Sequence, residues 1–229
     1  MATIILVRHG ENDWVQKKRL AGWIPGVHLN ENGRQQAATA AQRLAHLPVK
    51  AIYSSPVERC VETAEYLVQT FKLPLQQLEA VGEVRYGDWE GAEIEKLAQE
   101  KAWHIVQHYP SRHQFPQGEA LREVQFRAVQ ALEQLSQQHA QELIVVVSHA
   151  DLIKLVLAHY LGVHIDLFQR IAIAPASASV LALPTDGRVQ VVRINDDGPL
   201  TIPTPTPKPN QADETAVSAS PATNTTSTG

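Results

Sequence analysis

Two short, uninterrupted apolar runs constrain the fold of this chain more than any other feature. Residues 4–7 are Ile-Ile-Leu-Val, and residues 143–147 are Leu-Ile-Val-Val-Val. Because runs of this length and composition have no polar face, they are typical of strands that are covered on both faces of a sheet. Polar residues follow each run, Arg8-His9 in the first case and Ser148-His149 in the second.

Amphipathic patterns with a spacing of three to four residues separate the apolar runs and predict helices. One helix begins near Glu31, a second begins at Ser55-Pro56, a third covers about residues 119–139 and a fourth covers residues 151–161. Ser55 fits an N-cap and Pro56 fits the first helical position. The side chains expected on buried faces are Ala37, Ala41, Leu44 and Ala45; Val57, Cys60, Ala64, Leu67 and Phe71; and Leu121, Val124, Ala128, Leu132 and Leu135.

Strands that alternate with helices predict an α/β fold. We expect a three-layer sandwich, with a mostly parallel central sheet, an antiparallel edge strand and helices on both faces. Residues 51–53 add a strand, while residues 177–183 and 188–194 form a closing hairpin across Thr185-Asp186-Gly187. Since sites in such sheets lie beyond the carboxyl ends of the strands, Arg8-His9 and Ser148-His149 are expected to meet there.

The composition changes near residue 198. Residues 1–197 are predicted to form one domain, whereas residues 198–229 are dominated by Pro, Thr, Ser, Asn and Ala. That segment has too little apolar surface to offset the entropy of ordering it, so it is predicted to be a disordered tail.

Charge and composition exclude several classes of partner. The formal net charge is −4, without the basic footprint of a nucleic-acid-binding protein. There is no apolar run of membrane-spanning length, and the N-terminus lacks the basic segment of a signal peptide. The single cysteine, Cys60, suits a reducing compartment and falls on a buried helix face, as a small hydrophobe rather than a nucleophile. We therefore expect a cytoplasmic protein, with its oligomeric state, a homodimer included, left open.

Two histidines and two arginines are the candidates for chemistry. An imidazole such as His9 or His149 can attack phosphorus or donate to a phosphoryl oxygen, and the guanidinium groups of Arg8 and Arg59 match phosphate geometry. Taken singly, each residue also fits a turn after a strand or an exposed helix face.

Four ordered blocks of sequence resemble the histidine phosphatase superfamily, also called the phosphoglycerate mutase-like family. They are residues 6–12 with 29–37, residues 53–64, residues 83–91 and residues 146–150. The first contains Arg8-His9-Gly10-Glu11, the second Arg59, the third Glu83 and the fourth Ser148-His149-Ala150. The resemblance covers about residues 3–194.

The resemblance implies a role for each matching residue. His9 would be the nucleophile that becomes phosphohistidine, and Arg8, Arg59 and His149 would bind the phosphoryl oxygens. Glu83 would protonate the leaving group and then activate water, with Glu11 as a rival that fits a supporting position better. No metal and no cofactor are implied.

One departure from the family pattern lies in the phosphate pocket. Many relatives have asparagine at the position of Val15, where the amide contacts phosphate. Either Asn12 substitutes for it or the pocket differs. The backbone N–H of Ala150 would add a donor where many relatives have glycine.

Two further clusters have competing interpretations. Lys17, Lys18 and Arg19 could meet a second anionic group, although an exposed basic loop is favoured. His104 and His108 have helical spacing and His113 follows, but a covering segment over the site is favoured over a metal site because no nearby cysteine or carboxylate completes a ligand set.

The sequence thus favours a phosphatase that hydrolyses a small phosphorylated metabolite. A phosphoglycerate-type mutase is the alternative. The resemblance implies that mutases carry a longer, basic insert after the block that contains the acid. The corresponding segment here, residues 91–118, is short and contains Arg112 as its sole arginine, which favours hydrolysis. A binding module without catalysis is disfavoured by the intact residue set.

Overall fold

A six-stranded sheet lies at the centre of this computed structural model, which describes residues 1–184 and 187–198. Its strands are β1 (Ala2–Arg8), β2 (Val49–Ser54), β3 (Leu75–Gln77), β4 (Leu143–Ser148), β5 (Ala178–Leu183) and β6 (Gln190–Asp196). In the order β3-β2-β4-β1-β5-β6, the first four are parallel, while β5 is antiparallel to β1 and β6 is antiparallel to β5. The predicted mostly parallel sheet with an antiparallel hairpin at its edge is confirmed.

Helices cover both faces of this sheet. They are α1 (Asp13–Gln16), α2 (Glu31–Leu44), α3 (Glu58–Phe71), α4 (Ile94–Leu97), α5 (Lys101–His108), α6 (Leu121–Gln138) and α7 (Ala150–Leu161), with single 3₁₀ turns between several of them. The side chains of β1 alternate between two cores, one on each face of the sheet. Ile4 and Leu6 pack with residues of α6 and α7, and Ile5 and Val7 pack with residues of α2 and α3. The three-layer sandwich is therefore confirmed.

The start of α3 differs from the prediction. The helix begins at Glu58, after Val57 as the N-cap residue, so Ser55 and Pro56 precede it. The Ser55 hydroxyl accepts from the Val57 N–H at 3.3 Å, just before the helix, and it also lies 2.8 Å from Nε2 of His149. Ala45 was also expected to be buried, but α2 ends at Leu44 and the side chain of Ala45 is exposed.

The two central strands, β1 and β4, match their predicted positions and are almost entirely buried. The hairpin turn at Thr185 and Asp186 and the tail after Gly198 lie outside the described residues. Among the described helices, none combines the length and the apolar composition that crossing a bilayer requires.

Candidate active site

The pairing of β1 with β4 brings the two predicted histidines together. Arg8 and Ser148 are partners at the ends of the two strands, and the His9 N–H donates to the Ser148 carbonyl at 2.9 Å. The next residue of each strand therefore projects from the same edge of the sheet. The rings of His9 and His149 meet edge to face, with their centroids 5.3 Å apart.

The hydrogen bonds of the His9 ring determine which of its nitrogens carries the lone pair. Nδ1 lies 2.7 Å from the Gly10 carbonyl oxygen, which can only accept, so Nδ1 carries the proton. Nε2 accepts from Nε of Arg59 at 3.3 Å. Burial of the ring, together with Arg59 and Arg8, holds the pKa of His9 well below its usual value. The ring is therefore neutral and nucleophilic near neutral pH.

Gly10 fixes the loop that follows His9. A Cβ at this position would collide with the backbone of Gly33 at the start of α2, so the close approach requires glycine. The Gly10 N–H donates to the Thr63 hydroxyl at 3.0 Å, and that hydroxyl donates to the Arg59 carbonyl at 2.7 Å. These bonds connect the nucleophile loop to the helix that carries Arg59.

Two arginines supply fixed positive charge next to His9. Arg59 is 1% exposed and also donates to the Gly22 carbonyl at 3.0 Å, while Arg8 donates to the Ile173 carbonyl at 2.7 Å. Within the described residues, Nη1 of Arg59 and Nε of Arg8 are buried donors without a hydrogen-bond partner. Buried donors of this kind are costly unless an acceptor completes them, and an anionic oxygen is the acceptor that suits a guanidinium.

His149 completes the same cluster from the other strand. Its Nδ1 lies 3.1 Å from Nη2 of Arg59 and 3.4 Å from Oε2 of Glu83, while its Nε2 lies 2.8 Å from Oγ of Ser55. Burial and the adjacent Arg59 lower the pKa of His149 well below its usual value. Cys60 packs beneath this ring, and burial raises the pKa of its thiol to about 12, so the group is an inert thiol on the core face, as predicted.

Glu83 lies within the cluster and has an unusual protonation equilibrium. Its Oε2 is 3.6 Å from Nη2 of Arg59, and its Oε1 accepts from the Val84 N–H at 3.0 Å. Burial raises the pKa of the carboxyl to about 7, since the loss of hydration outweighs the opposing effect of Arg59. A carboxyl with this pKa can donate a proton and accept one near neutral pH.

Arg127 on α6 holds the segment that carries Glu83, a contact that sequence reasoning missed. Its Nη1 donates to the carbonyls of Ala80 and Gly82 at 2.8 and 3.1 Å, and its Nη2 donates to the Glu83 carbonyl at 2.9 Å. Glu119 binds the remaining two donors of the guanidinium, each at distances of 2.8 to 2.9 Å. The indole N–H of Trp23 also donates to the Glu83 carbonyl, at 2.7 Å. Nothing in the local sequence around Arg127 signals this role.

A pocket of about 390 Å³ opens over the cluster. Among the predicted site residues, His9, Arg8, Arg59, Glu83, Asn12 and Ala150 line it, and the described geometry places His149 against Arg59 and Glu83. Asn12 is buried and its amide oxygen caps α1 by accepting from the Trp14 and Val15 N–H groups, each at 3.0 Å. Ala150 begins α7, with its backbone at the helix end that attracts anions.

Basic residues reach the pocket rim only in part. Lys18, Arg19 and Lys154 line it, whereas Lys17 is exposed elsewhere. Arg19 donates twice to the Gly91 carbonyl, and Lys18 lies 3.9 Å from a carboxylate oxygen of Glu95. Val15 is 38% exposed and also lines the pocket.

The two remaining sequence candidates lie outside this cluster. Glu11 accepts from the side chains of Gln16, Asn30 and Asn32, so it fastens the loop after β1. The rings of His104 and His108 stack with their centroids 4.1 Å apart. The ring of His113 instead packs edge to face on Phe115, with a centroid distance of 4.8 Å. Among the described residues, no group of three or more His, Cys, Asp or Glu side chains could hold a metal ion.

Comparison with known proteins agrees with this geometry. The family model of the histidine phosphatase superfamily (branch 1) matches residues 4–197. Phosphoserine phosphatase 1 of Hydrogenobacter thermophilus is 30% identical over 200 residues, which cover 85% of this chain and 92% of that protein. The solved structure of YhfR from Bacillus stearothermophilus superposes with a TM-score of 0.80 at 29% identity, over 86% of this chain and 98% of that one. A 2,3-bisphosphoglycerate-dependent phosphoglycerate mutase of Bartonella quintana is 33% identical, over 53% of this chain and 62% of that protein.

Proposed function

The chain belongs to the histidine phosphatase superfamily, and we propose that it hydrolyses small phosphomonoesters through a phosphohistidine on His9, without a metal. One observation carries the proposal: His9, with its lone pair on Nε2, lines one pocket with Arg8 and Arg59, whose buried donors lack partners among the described residues, and with a carboxyl whose pKa is about 7.

In the first step, Arg59 transfers its Nε hydrogen bond from His9 Nε2 to a phosphoryl oxygen. The freed lone pair of Nε2 attacks phosphorus while the ester P–O bond breaks. The Gly10 carbonyl keeps the proton on Nδ1 and stabilises the charge that develops on the ring. Phosphoryl transfer of this kind depends on positioning and on fixed charge around the equatorial oxygens.

Three side chains bind those oxygens in the proposed mechanism. Arg59 and Arg8 use the donors that have no partner among the described residues. Nδ1 of His149 lies 3.1 Å from Nη2 of Arg59, a group that can only donate, so Nδ1 accepts there while Nε2 donates to the Ser55 hydroxyl. In the proposed mechanism, an anionic phosphoryl oxygen draws a proton onto Nδ1, and His149 then donates to that oxygen. The Asn12 amide N–H groups and the Ala150 N–H add donors at the rim.

Glu83 moves the proton in both steps. Its protonated carboxyl donates to the leaving oxygen, and the resulting carboxylate then accepts a proton from water. The water oxygen attacks phosphorus, the N–P bond to His9 breaks and inorganic phosphate leaves, which returns Glu83 to its protonated form.

Hydrolysis is favoured over mutase activity and over binding alone. A mutase must bind a second anionic group, yet the lysines and the arginine at the rim already have partners. Lys18 contacts Glu95, Arg19 contacts the Gly91 carbonyl and Lys154 contacts Asp151. The complete set around His9 supports catalysis rather than binding alone. The expected partner is a small phosphorylated metabolite, and the cytoplasmic location, the absence of a nucleic-acid partner and the C-terminal tail stay predictions.

Trapping the intermediate tests the proposal. Protein quenched during turnover of nitrophenyl phosphate should contain one acid-labile phosphoryl group on the His9 peptide, detected by mass spectrometry. Glu83→Gln should increase the trapped fraction, since the second step lacks its base. His9→Ala should remove the label and the turnover, while His46→Ala, at an exposed histidine, should leave both unchanged. Turnover without label on His9 would refute the mechanism.

A further inference from the structure

An apolar cavity of about 240 Å³ adjoins the phosphoryl pocket. The two spaces lie side by side near α4 and α7, because five residues line both of them: Leu20, Tyr86, Ile94, Asp151 and Gln169. The cavity then extends away from His9 between Trp103 and Val106 of α5, and Phe115, Leu121 and Phe168. A dry cavity of about 150 Å³ lined by Leu, Ile and Phe is large enough to hold benzene. This cavity therefore has room for a compact apolar group.

The charges around the cavity are already balanced. Among the described residues that line it, Asp151 alone is charged at neutral pH. Its carboxylate is 3.2 Å from Nζ of Lys154 and accepts from the Tyr86 hydroxyl at 3.0 Å. Lys154 also donates to the Gln169 side chain at 2.9 Å. A charged group in the cavity would lose hydration without gaining a free partner of opposite charge.

The position of the cavity determines which part of a substrate reaches it. Phosphorus must lie next to Nε2 of His9 with its oxygens on Arg8 and Arg59, and the leaving oxygen must face Glu83. Tyr86 lines the pocket beside Glu83 and also lines the cavity. In that orientation, a group attached to the leaving oxygen would extend past Tyr86 towards α5.

We propose that this cavity is a subsite for the leaving group, and that the preferred substrates are phosphomonoesters of uncharged, apolar alcohols, alkyl or aryl, rather than of hydroxy acids or amino acids. The inference rests on the proposed phosphatase function, and it sets this chain apart from a relative that bears the name phosphoserine phosphatase.

A homologous series of n-alkyl phosphates, from ethyl to hexyl, tests the subsite. The pKa of the leaving alcohol hardly changes along the series, so a change in kcat/KM reports burial of the chain. We expect kcat/KM to rise about fourfold per methylene until the cavity is filled. O-phosphoserine should be a poorer substrate than butyl phosphate by at least tenfold.

Two variants locate the effect in the cavity. Trp103→Ala removes a wall of the cavity, so the rise in kcat/KM should become less than twofold per methylene. Val106→Phe narrows the cavity and should lower kcat/KM for hexyl phosphate at least tenfold, with thermal unfolding as the check on folding. Phe126→Ala is the matched control, since Phe126 is 64% exposed on α6, and its alkyl series should equal that of the wild type.

Calorimetric binding of the matching n-alkylphosphonates separates this inference from the proposed function. A Kd that falls about fourfold per methylene without any ester turnover would support the subsite and refute the phosphatase. Turnover with a kcat/KM that does not change along the n-alkyl series would overturn the subsite but not the proposed phosphatase function. A preference for O-phosphoserine over butyl phosphate would have the same meaning.

Discussion

Replacing Glu83 by glutamine removes the proposed proton donor while keeping its size. The glutamine oxygen can still accept from the Val84 N–H, as Oε1 does at 3.0 Å in the wild type. The amide cannot protonate a leaving group. The variant therefore isolates proton transfer from positioning.

The size of the effect depends on the leaving group. General acid catalysis raises reaction rates roughly 10²- to 10⁴-fold. An alkoxide is a poor leaving group without a proton, so kcat/KM for ethyl phosphate should fall by this full factor in Glu83→Gln. Nitrophenolate leaves readily as an anion, so kcat/KM for nitrophenyl phosphate should fall by less than about tenfold. Since kcat also includes the hydrolysis of phosphohistidine, the variant should release a burst of nitrophenolate equal to the enzyme concentration and then turn over slowly.

The pH dependence follows from the same carboxyl. With a pKa of about 7, the protonated fraction falls from about 0.9 at pH 6 to about 0.1 at pH 8, so kcat/KM for ethyl phosphate should fall about tenfold. The second ionisation of the substrate, at about pH 6, affects the wild type and Glu83→Gln equally, so it cancels in the ratio of their kcat/KM values.

Unfolding provides a readout that needs no substrate. Because the folded pKa of Glu83 is raised, its protonated form is favoured by folding, and this stabilising contribution is complete below the unfolded pKa and lost as pH rises through about 7. The free energy of unfolding of the wild type should therefore fall, relative to Glu83→Gln, by on the order of 3 kcal/mol between about pH 4.5 and pH 8. Two results would refute the role of Glu83. One is an equal loss of kcat/KM for ethyl phosphate and nitrophenyl phosphate in Glu83→Gln. The other is a fall in kcat/KM near pH 7 that persists in Glu83→Gln.

Three further outcomes are expected. His9→Ala should abolish aryl phosphatase activity, which should persist in the wild type with a chelator; activity that survives the substitution or is lost to the chelator would contradict the mechanism. Arg127→Lys cannot replace three contacts to backbone carbonyls, so kcat/KM for ethyl phosphate should fall about tenfold and that for nitrophenyl phosphate less; equal losses would indicate a structural role alone. Cys60, buried with a thiol pKa of about 12, should resist alkylation at pH 8 until the protein is unfolded, as followed by mass spectrometry, and rapid labelling of the folded protein would show otherwise.

The central strands and the meeting of His9 with His149 were predictable because they depend on local pattern and on one rule of sheet geometry. Apolar runs at residues 4–7 and 143–147 have few alternatives to burial, and parallel neighbours end at the same edge. The stripe of α3 was equally readable, with Cys60, Ala64 and Leu67 buried as expected.

Other features depend on contacts that no local pattern encodes. Ser55 has the sequence context of an N-cap, yet its hydroxyl is next to His149, a residue far along the chain. Burial of Glu83 produces the raised pKa, and the support of its backbone comes from Arg127 on α6. The cavity beside the site is formed by α5 together with residues of α4, α6, α7 and distant loops. Such features follow from packing between elements rather than from the propensity of any single element.

The position of β1 within the sheet has a consequence during synthesis of the chain on the ribosome. Of the six described strands, β1 is synthesised first, but Val7 pairs with Val147 on one side and with Ala178 on the other. At about 5 to 20 residues per second, its partners follow only after roughly 10 to 30 seconds. Throughout that time a nascent chain exposes an apolar strand with two unpaired edges, which is the kind of segment that chaperones bind and that aggregates when they do not. His9 and His149 cannot come together until β4 has been synthesised and has paired with β1.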